Sequence, residues 1–309
     1  MSKQIIEPAT ISQGDARTGV LASVAAYTMW GLLPIYLIAL RGVGPDEVLV
    51  HRVLWSVPFC ALIIAVRKQW ADIRETLGNR KVLVALMRSS FIIALNWLIY
   101  IAAVQNQQIF EASLGYYINP LIYVLVGVVF LGEKLGTLQK LAVGLAAVGV
   151  LVLTLYGGTF PLVSLALAAT FTAYGYIRKM TPVGAMPGLF FETLFLAPIA
   201  LVYLVVFGPQ GQAAFGTGSE ITLLLIAAGP ITVLPLLMFA IGARRLPLST
   251  IGFLQFIGPT LQFIIGLIDG EPFTRAHQLC FTMIWIAAAL FAADAVIRQR
   301  AERPAAEAV

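Results

Sequence analysis

The chain has 309 residues, of which 60% are hydrophobic and 11% charged, with a formal net charge of +5 and a mean hydropathy of +0.90. That composition excludes a soluble domain with a polar surface. The basic excess sits mostly in short breaks between apolar runs, which reflects membrane orientation and gives no support to a nucleic-acid partner.

A hydrocarbon core of roughly 30 Å takes about 20 apolar residues to cross. Ten segments meet that need: 18–40, 47–66, 82–104, 110–131, 137–155, 160–178, 187–207, 221–243, 248–268 and 275–297. The fold class expected is therefore an all-α membrane protein with a short N-terminal tail, 1–17, and a C-terminal tail, 298–309. The first apolar run is too long for a cleaved secretion signal, so it is expected to remain as helix one.

Helix two carries the densest chemistry. Glu47 and His51 stand four apart and Arg52 and Trp55 three apart, which places an acid, an imidazole, a guanidinium and an indole over adjacent turns. The guanidinium fork suits a carboxylate or phosphate, and the indole suits an apolar or aromatic body. Two readings of Arg52 stay open: a ligand for an amphipathic anion, or an ion pair with Glu47 or Glu111 that locks helices together. The basic connection 67–81 could meet anionic lipid, although ordinary cytoplasmic positive charge accounts for it more simply.

Helix three offers Asn96, Trp97 and Tyr100, while its Arg88 is shallow enough to snorkel. Helix four offers Glu111, Tyr116, Tyr117 and Asn119 just before Pro120, whose ring removes an intrahelical hydrogen bond and frees backbone carbonyls to meet a solute. Ala142 and Ala146 on helix five and the Ala-rich run 287–293 on helix ten make small packing surfaces, within one chain or between two. Helix seven buries Glu192. Helix nine has Gln255 and Gln262 on one face, seven apart, around Gly258 and Pro259. Each Asn and Gln is either a solute contact or interhelical glue.

With the N-terminus inside, only Arg41 and Arg275 of the twenty Lys and Arg fall outside, and Arg52 and Arg88 fall within helices. The remaining sixteen face the cytoplasm, as do both termini.

The chain also repeats itself. Gly132-Glu133 and Leu141 match Gly270-Glu271 and Leu279, Pro120 matches Pro259, and Ala25–Gly31 matches Ala169–Gly175. The stretch Arg52–Pro58 matches Glu192–Pro198, all four matches falling at offsets near 140. Two five-helix halves, 18–155 and 160–297, must then enter the membrane in opposite senses, an inverted repeat of the kind many secondary transporters use.

This layout resembles the EamA branch of the drug/metabolite transporter superfamily. The stretches Asp46–Ser56, Asn96-Trp97, Glu111–Pro120 and Gly252–Thr260 resemble its RarD group. The resemblance implies an inner-membrane bacterial permease that exports a small solute. Together with the residues above it predicts alternating access around a cavity between Arg52 and Glu192, embedded in a lipid bilayer, with or without proton coupling through Glu192 and His51 or Glu111. Monomer and homodimer both remain open. Neither cofactor nor metal is expected, because Cys60 and Cys280 lie in helices and no zinc, phosphate-loop or serine-elbow motif occurs. The alternatives are a channel, which would show rings of like charge, and an integral-membrane enzyme or sensor.

Overall fold

The computed structural model describes residues 13–131, 136–158, 160–207, 213–246 and 248–306. Among them there is no β-strand, and the chain is a bundle of helices: α1 (Gln13–Ala39), α2 (Pro45–Val66), α3 (Trp70–Gly78), α4 (Arg80–Gln105), α5 (Ile109–Leu131) and α6 (Thr137–Gly157), then α7 (Leu162–Met180), α8 (Ala185–Phe207), α9 (Ser219–Ala243), α10 (Leu248–Leu254), α11 (Ile257–Ile268) and α12 (Arg275–Ala306).

Local chemistry sets several of these ends. The turn before α2 needs Gly42, whose φ of 103° is strained for any residue with a Cβ. Pro45 then opens the helix with Asp46 and Glu47 in its first turn, where acids meet the positive end of the dipole. Asn79 caps α4 by accepting from the Val82 amide at 3.2 Å, and Gly158 closes α6 in the left-handed region.

Seven helices, α1, α2, α4, α6, α8, α9 and α12, are long and apolar enough to cross a membrane by length and composition. Of the other predicted spans, 110–131 and 160–178 correspond to α5 and α7. The ninth, 248–268, is split: the helix ends at Leu254, turns through Gln255 and Phe256, and restarts at Ile257 as α11. Pro259 explains the break, since it has no N–H to bond back toward the Gln255 carbonyl. Two further differences concern what lies outside the spans. The connection 67–81 folds into α3, which rests on Ile73 and Thr76, and α12 runs on to Ala306 through most of the predicted C-terminal tail. The Gly132–Leu135 part of the repeat motif lies outside the described residues.

Large side chains such as Leu21, Leu62, Leu155, Val202, Leu223 and Ile268 are exposed around the bundle, where a lipid tail would meet them at no hydrophobic cost. Inside, small residues let helices approach. Gly115 fits against the Ser164 backbone and Gly229 against that of Trp55, both too close for a Cβ. On α6, Ala142, Ala146 and Gly149 pack against Cys280 and Ala287 of α12, so that small surface is used within one chain. The main pairings are α6 with α12, α1 with α9 and α11, α2 with α8 and α9, α5 with α7 and α11, and α4 with α7 and α8.

Candidate functional site

Arg52 is the eighth residue of α2 and is turned into the bundle, 7% exposed. Its Nε donates to Thr232 Oγ1 of α9 at 2.8 Å, and its guanidinium carbon lies 4.3 Å from the Trp97 ring centroid. Tyr36 of α1, Tyr100 of α4 and Tyr116 of α5 are within electrostatic reach. Tyr100 and Tyr116 meet edge to face at 5.7 Å, and the buried Tyr100 hydroxyl has no hydrogen-bond partner among the described residues. A narrow crevice runs beside Arg52 between α1, α2 and α9, walled by Leu33, Tyr36, Leu37, Val48, Ala228, Ile231 and Thr232, and in this conformation it is too tight to admit a water molecule. Among the described residues no carboxylate comes within 4.0 Å of this guanidinium. The expected alternative, a lock with Glu47 or Glu111, is therefore not the arrangement found.

Glu47 is occupied elsewhere. Its carboxylate accepts from the backbone amides of Ala214 at 2.7 Å and Phe215 at 3.0 Å, tying the start of α2 to the loop before α9. His51 stacks on Phe215 at 4.6 Å, and Trp55 Nε1 donates to His51 Nδ1 at 3.3 Å. That bond makes Nδ1 the acceptor and leaves the proton on Nε2, which faces Glu47 Oε1 at 3.9 Å without a hydrogen bond. His51 and Trp55 thus gather around Phe215, and neither lines the Arg52 crevice.

Glu192 is the eighth residue of α8 and is fully buried. Ser89 of α4 donates to its Oε1 at 2.6 Å, the Tyr174 hydroxyl donates to Oε2 at 3.3 Å, and Arg178 Nε lies 3.7 Å from Oε1. Arg178 also donates through Nη2 to the Gly184 carbonyl at 3.3 Å, while its buried Nη1 has no partner among the described residues. Sequence reasoning placed an acid opposite Arg52. The structure gives Glu192 its own cation and makes two clusters.

Asn96 donates to the Leu167 carbonyl at 3.1 Å and to Thr170 Oγ1 at 2.9 Å, and Asn119 accepts from Thr172 at 2.9 Å, so both join their helices to α7. Tyr117 is on another face of α5, bonded to Thr260 at 2.7 Å and stacked on Phe256. Glu111 is half-buried at the start of α5, and its backbone carbonyl accepts from Ser164 at 2.7 Å. Gln262 donates to the Trp30 carbonyl at 3.2 Å and leaves its own oxygen unpartnered. Gln255 sits half-buried in the two-residue break before α11, whereas Gln262 lies within α11.

Sequence reasoning missed Thr232, Ser89, Tyr36, Tyr174, Arg178 and Phe215. Thr232 carries the one usable signal, a lone hydroxyl in an apolar run, whereas Ser89 follows Arg88 and adjoins Ser90. It also missed the sealed end of the bundle. There Arg41 donates to Asp269 Oδ1 at 2.9 Å, and Glu271 accepts from the amides of Ile109 at 2.7 Å and Phe110 at 3.1 Å, capping α5 from the turn after α11. Burial pushes the Glu271 carboxyl up to about 7 against those two hydrogen bonds, and the Asp269 hydrogen bond holds Arg41 above its ordinary value.

An all-helical bundle with apolar spans and inward-turned ionisable side chains is a multi-pass membrane protein, built around polar clusters that a purely structural bundle would not need. Its particular kind follows from its relatives. Residues 17–155 match the EamA-like transporter family. An uncharacterized transporter of Vibrio cholerae is 42% identical over 96% of this chain and 99% of its own. Protein RarD of Salmonella typhi is 42% identical over 93% of this chain and 98% of its own. One solved crystal structure, 18% identical, aligns over 89% of this chain and 96% of that one with a TM-score of 0.60, which concerns the fold alone. The chain belongs to the EamA family of the drug/metabolite transporter superfamily, with RarD proteins among its relatives.

Proposed function

We propose that this transporter is a secondary carrier that exports a small amphipathic solute across the bacterial inner membrane by alternating access, with both termini cytoplasmic. The observation that carries the reading is Arg52, a buried cation in the middle of an apolar bundle, bordered by a crevice and by Trp97, Tyr36, Tyr100 and Tyr116.

Two inverted five-helix halves, α1, α2, α4, α5, α6 and α7, α8, α9, α10–α11, α12, are supported by the pairings. Exchanging the halves turns α1 on α9 into α7 on α4, and α5 on α7 into α11 on α1; α2 on α8, α5 on α11 and α6 on α12 exchange with themselves. Arg52 and Glu192 occupy equivalent places under that exchange. At about 1.5 Å per residue each lies roughly 11 Å from the opening end of its helix, Arg52 toward the outside and Glu192 toward the cytoplasm.

Four ties at the outer end cross from one half to the other: Arg41 to Asp269, Glu271 to the start of α5, Glu47 to Ala214 and Phe215, and Tyr203 to Asp46 at 2.7 Å. These would have to break for an outward-open state, which suits rocking of two rigid halves. Proton coupling, if used, falls to Glu192, with Arg178 as the charge that its protonation would release. His51 and Glu111 remain secondary candidates.

Reconstituted vesicles test the reading. Solutes over-represented in the medium of producing cells should enter or leave vesicles with saturable kinetics, and Arg52→Gln should abolish that flux at unchanged protein level. Unsaturable ion conductance in its place would point to a channel. Flux indifferent to an imposed pH gradient would remove the proton from the scheme.

A further inference from the structure

We infer that the Arg52 crevice is a receptor for a monocarboxylate carried on an apolar or aromatic body, a substrate class that rests on the carrier reading above. Four observations point the same way. The chain supplies Arg52 with no counter-charge among the described residues: its Nε is spent on a neutral hydroxyl, Thr232, and its face on Trp97. The Nη1–Nη2 edge donates to no other group among those residues, and that edge is the one whose two parallel donors match a carboxylate. Within electrostatic reach of Arg52, Tyr100 is 2% exposed and its hydroxyl has no partner among the described residues, a buried donor left unsatisfied. The crevice walls away from the guanidinium are apolar, with Leu33, Val48 and Ile231 placed to meet a hydrocarbon or ring once the helices part.

Glu192 shows what this protein does when it means to neutralise a buried charge, since it receives Arg178, Ser89 and Tyr174. Arg52 receives nothing comparable, so the occupant brings the negative charge. A phosphate dianion would call for a second cation, and no other Arg or Lys lines the crevice. One guanidinium and one phenol fit a carboxylate, with the guanidinium fork and the Tyr100 hydroxyl both donating to its oxygens.

Benzoate and benzamide separate charge from shape, being nearly isosteric. With the full chain in lipid nanodiscs, titration calorimetry should give benzoate binding at least about tenfold tighter than benzamide, a preference of charge-assisted over neutral hydrogen bonding. Arg52→Gln should erase the difference, Arg52→Lys should retain part of it, and Tyr100→Phe should weaken benzoate several-fold. Benzamide binding as tightly as benzoate, phenyl phosphate binding more tightly than benzoate, or an unchanged preference in Arg52→Gln would overturn the assignment. Vesicle flux keeps the two readings apart. Saturable, Arg52-dependent flux of neutral or cationic solutes with none of benzoate sinks the carboxylate and spares the carrier. Arg52-dependent benzoate binding with no saturable flux of any solute keeps the receptor and sinks the carrier.

Discussion

Arg52 of α2 donates from Nε to the Thr232 hydroxyl of α9 at 2.8 Å. Its counterpart is the 2.6 Å bond from Ser89 of α4 to Glu192 of α8. In each case the charged residue is the eighth of its helix and the hydroxyl belongs to a helix more than a hundred residues away in sequence. The two bonds differ in what surrounds them. Glu192 has an arginine at 3.7 Å, whereas Arg52 has aromatic rings and a crevice. One buried charge is thus neutralised within the chain, and the other has no carboxylate within 4.0 Å among the described residues.

Thr232→Val keeps the shape of the side chain and removes the acceptor for Arg52. A buried charged donor left without its partner costs about 1–3 kcal/mol, so the variant should melt a few degrees lower in detergent. Transport by Thr232→Val should fall but persist, in contrast to the complete loss in Arg52→Gln, as read by initial rates in vesicles.

Glu192→Gln leaves Arg178 buried without its counter-charge. Removing one member of a buried pair costs on the order of 3–5 kcal/mol, and the side chain of Arg178 is only 15% exposed. Ser89→Ala removes a single hydrogen bond to a charge and should cost about 1.5–3 kcal/mol. Thermal unfolding should rank wild type above Ser89→Ala above Glu192→Gln. The reverse order would mean that the Arg178 pairing contributes little.

Glu271 ties stability to pH at the sealed end. Its carboxyl, ordinarily near 4.5, is raised to about 7 chiefly by burial, so the folded chain binds this proton more tightly than the unfolded chain does. The contribution is fully present below about 4.5 and is lost as pH rises through 7. With solvent reaching part of the group, it amounts to about 1 kcal/mol. The melting temperature should drop by a few degrees between pH 5 and 8, and Glu271→Gln should flatten that slope. An equal slope in the variant would assign it to other groups.

Gly229→Ala tests the α2–α9 crossing that positions Arg52 and Thr232. The added Cβ would meet the Trp55 backbone, which cannot swing aside as a flexible side chain could. Overpacking of this kind costs about 1–3 kcal/mol. The variant should lose stability and transport together, whereas Gly144→Ala, whose Cβ meets nothing within 4 Å, should keep both.

Much of this was legible in the linear chain. Apolar runs of about twenty residues cannot be dissolved in water, so their membrane character and helical state follow from composition and from the need to satisfy every backbone amide internally. Arg52 and Glu192 stood out for the same reason, as charges within such runs. Other features depend on contacts between segments far apart in sequence. An ion pair of Arg52 with Glu47 or Glu111 was a reasonable expectation by residue type, and among the described residues the fold does not make it. Helix packing decided instead that Glu47 would cap the loop at Ala214, that Arg178 would reach Glu192, and that Pro259 would split the ninth span. The sequence by itself determined which solvent the chain belongs in and which residues are too polar to be there without reason. Only the tertiary structure decided which of those charges are neutralised, because a partner is set by crossing angle and depth, and neither is written in the spacing of one helix.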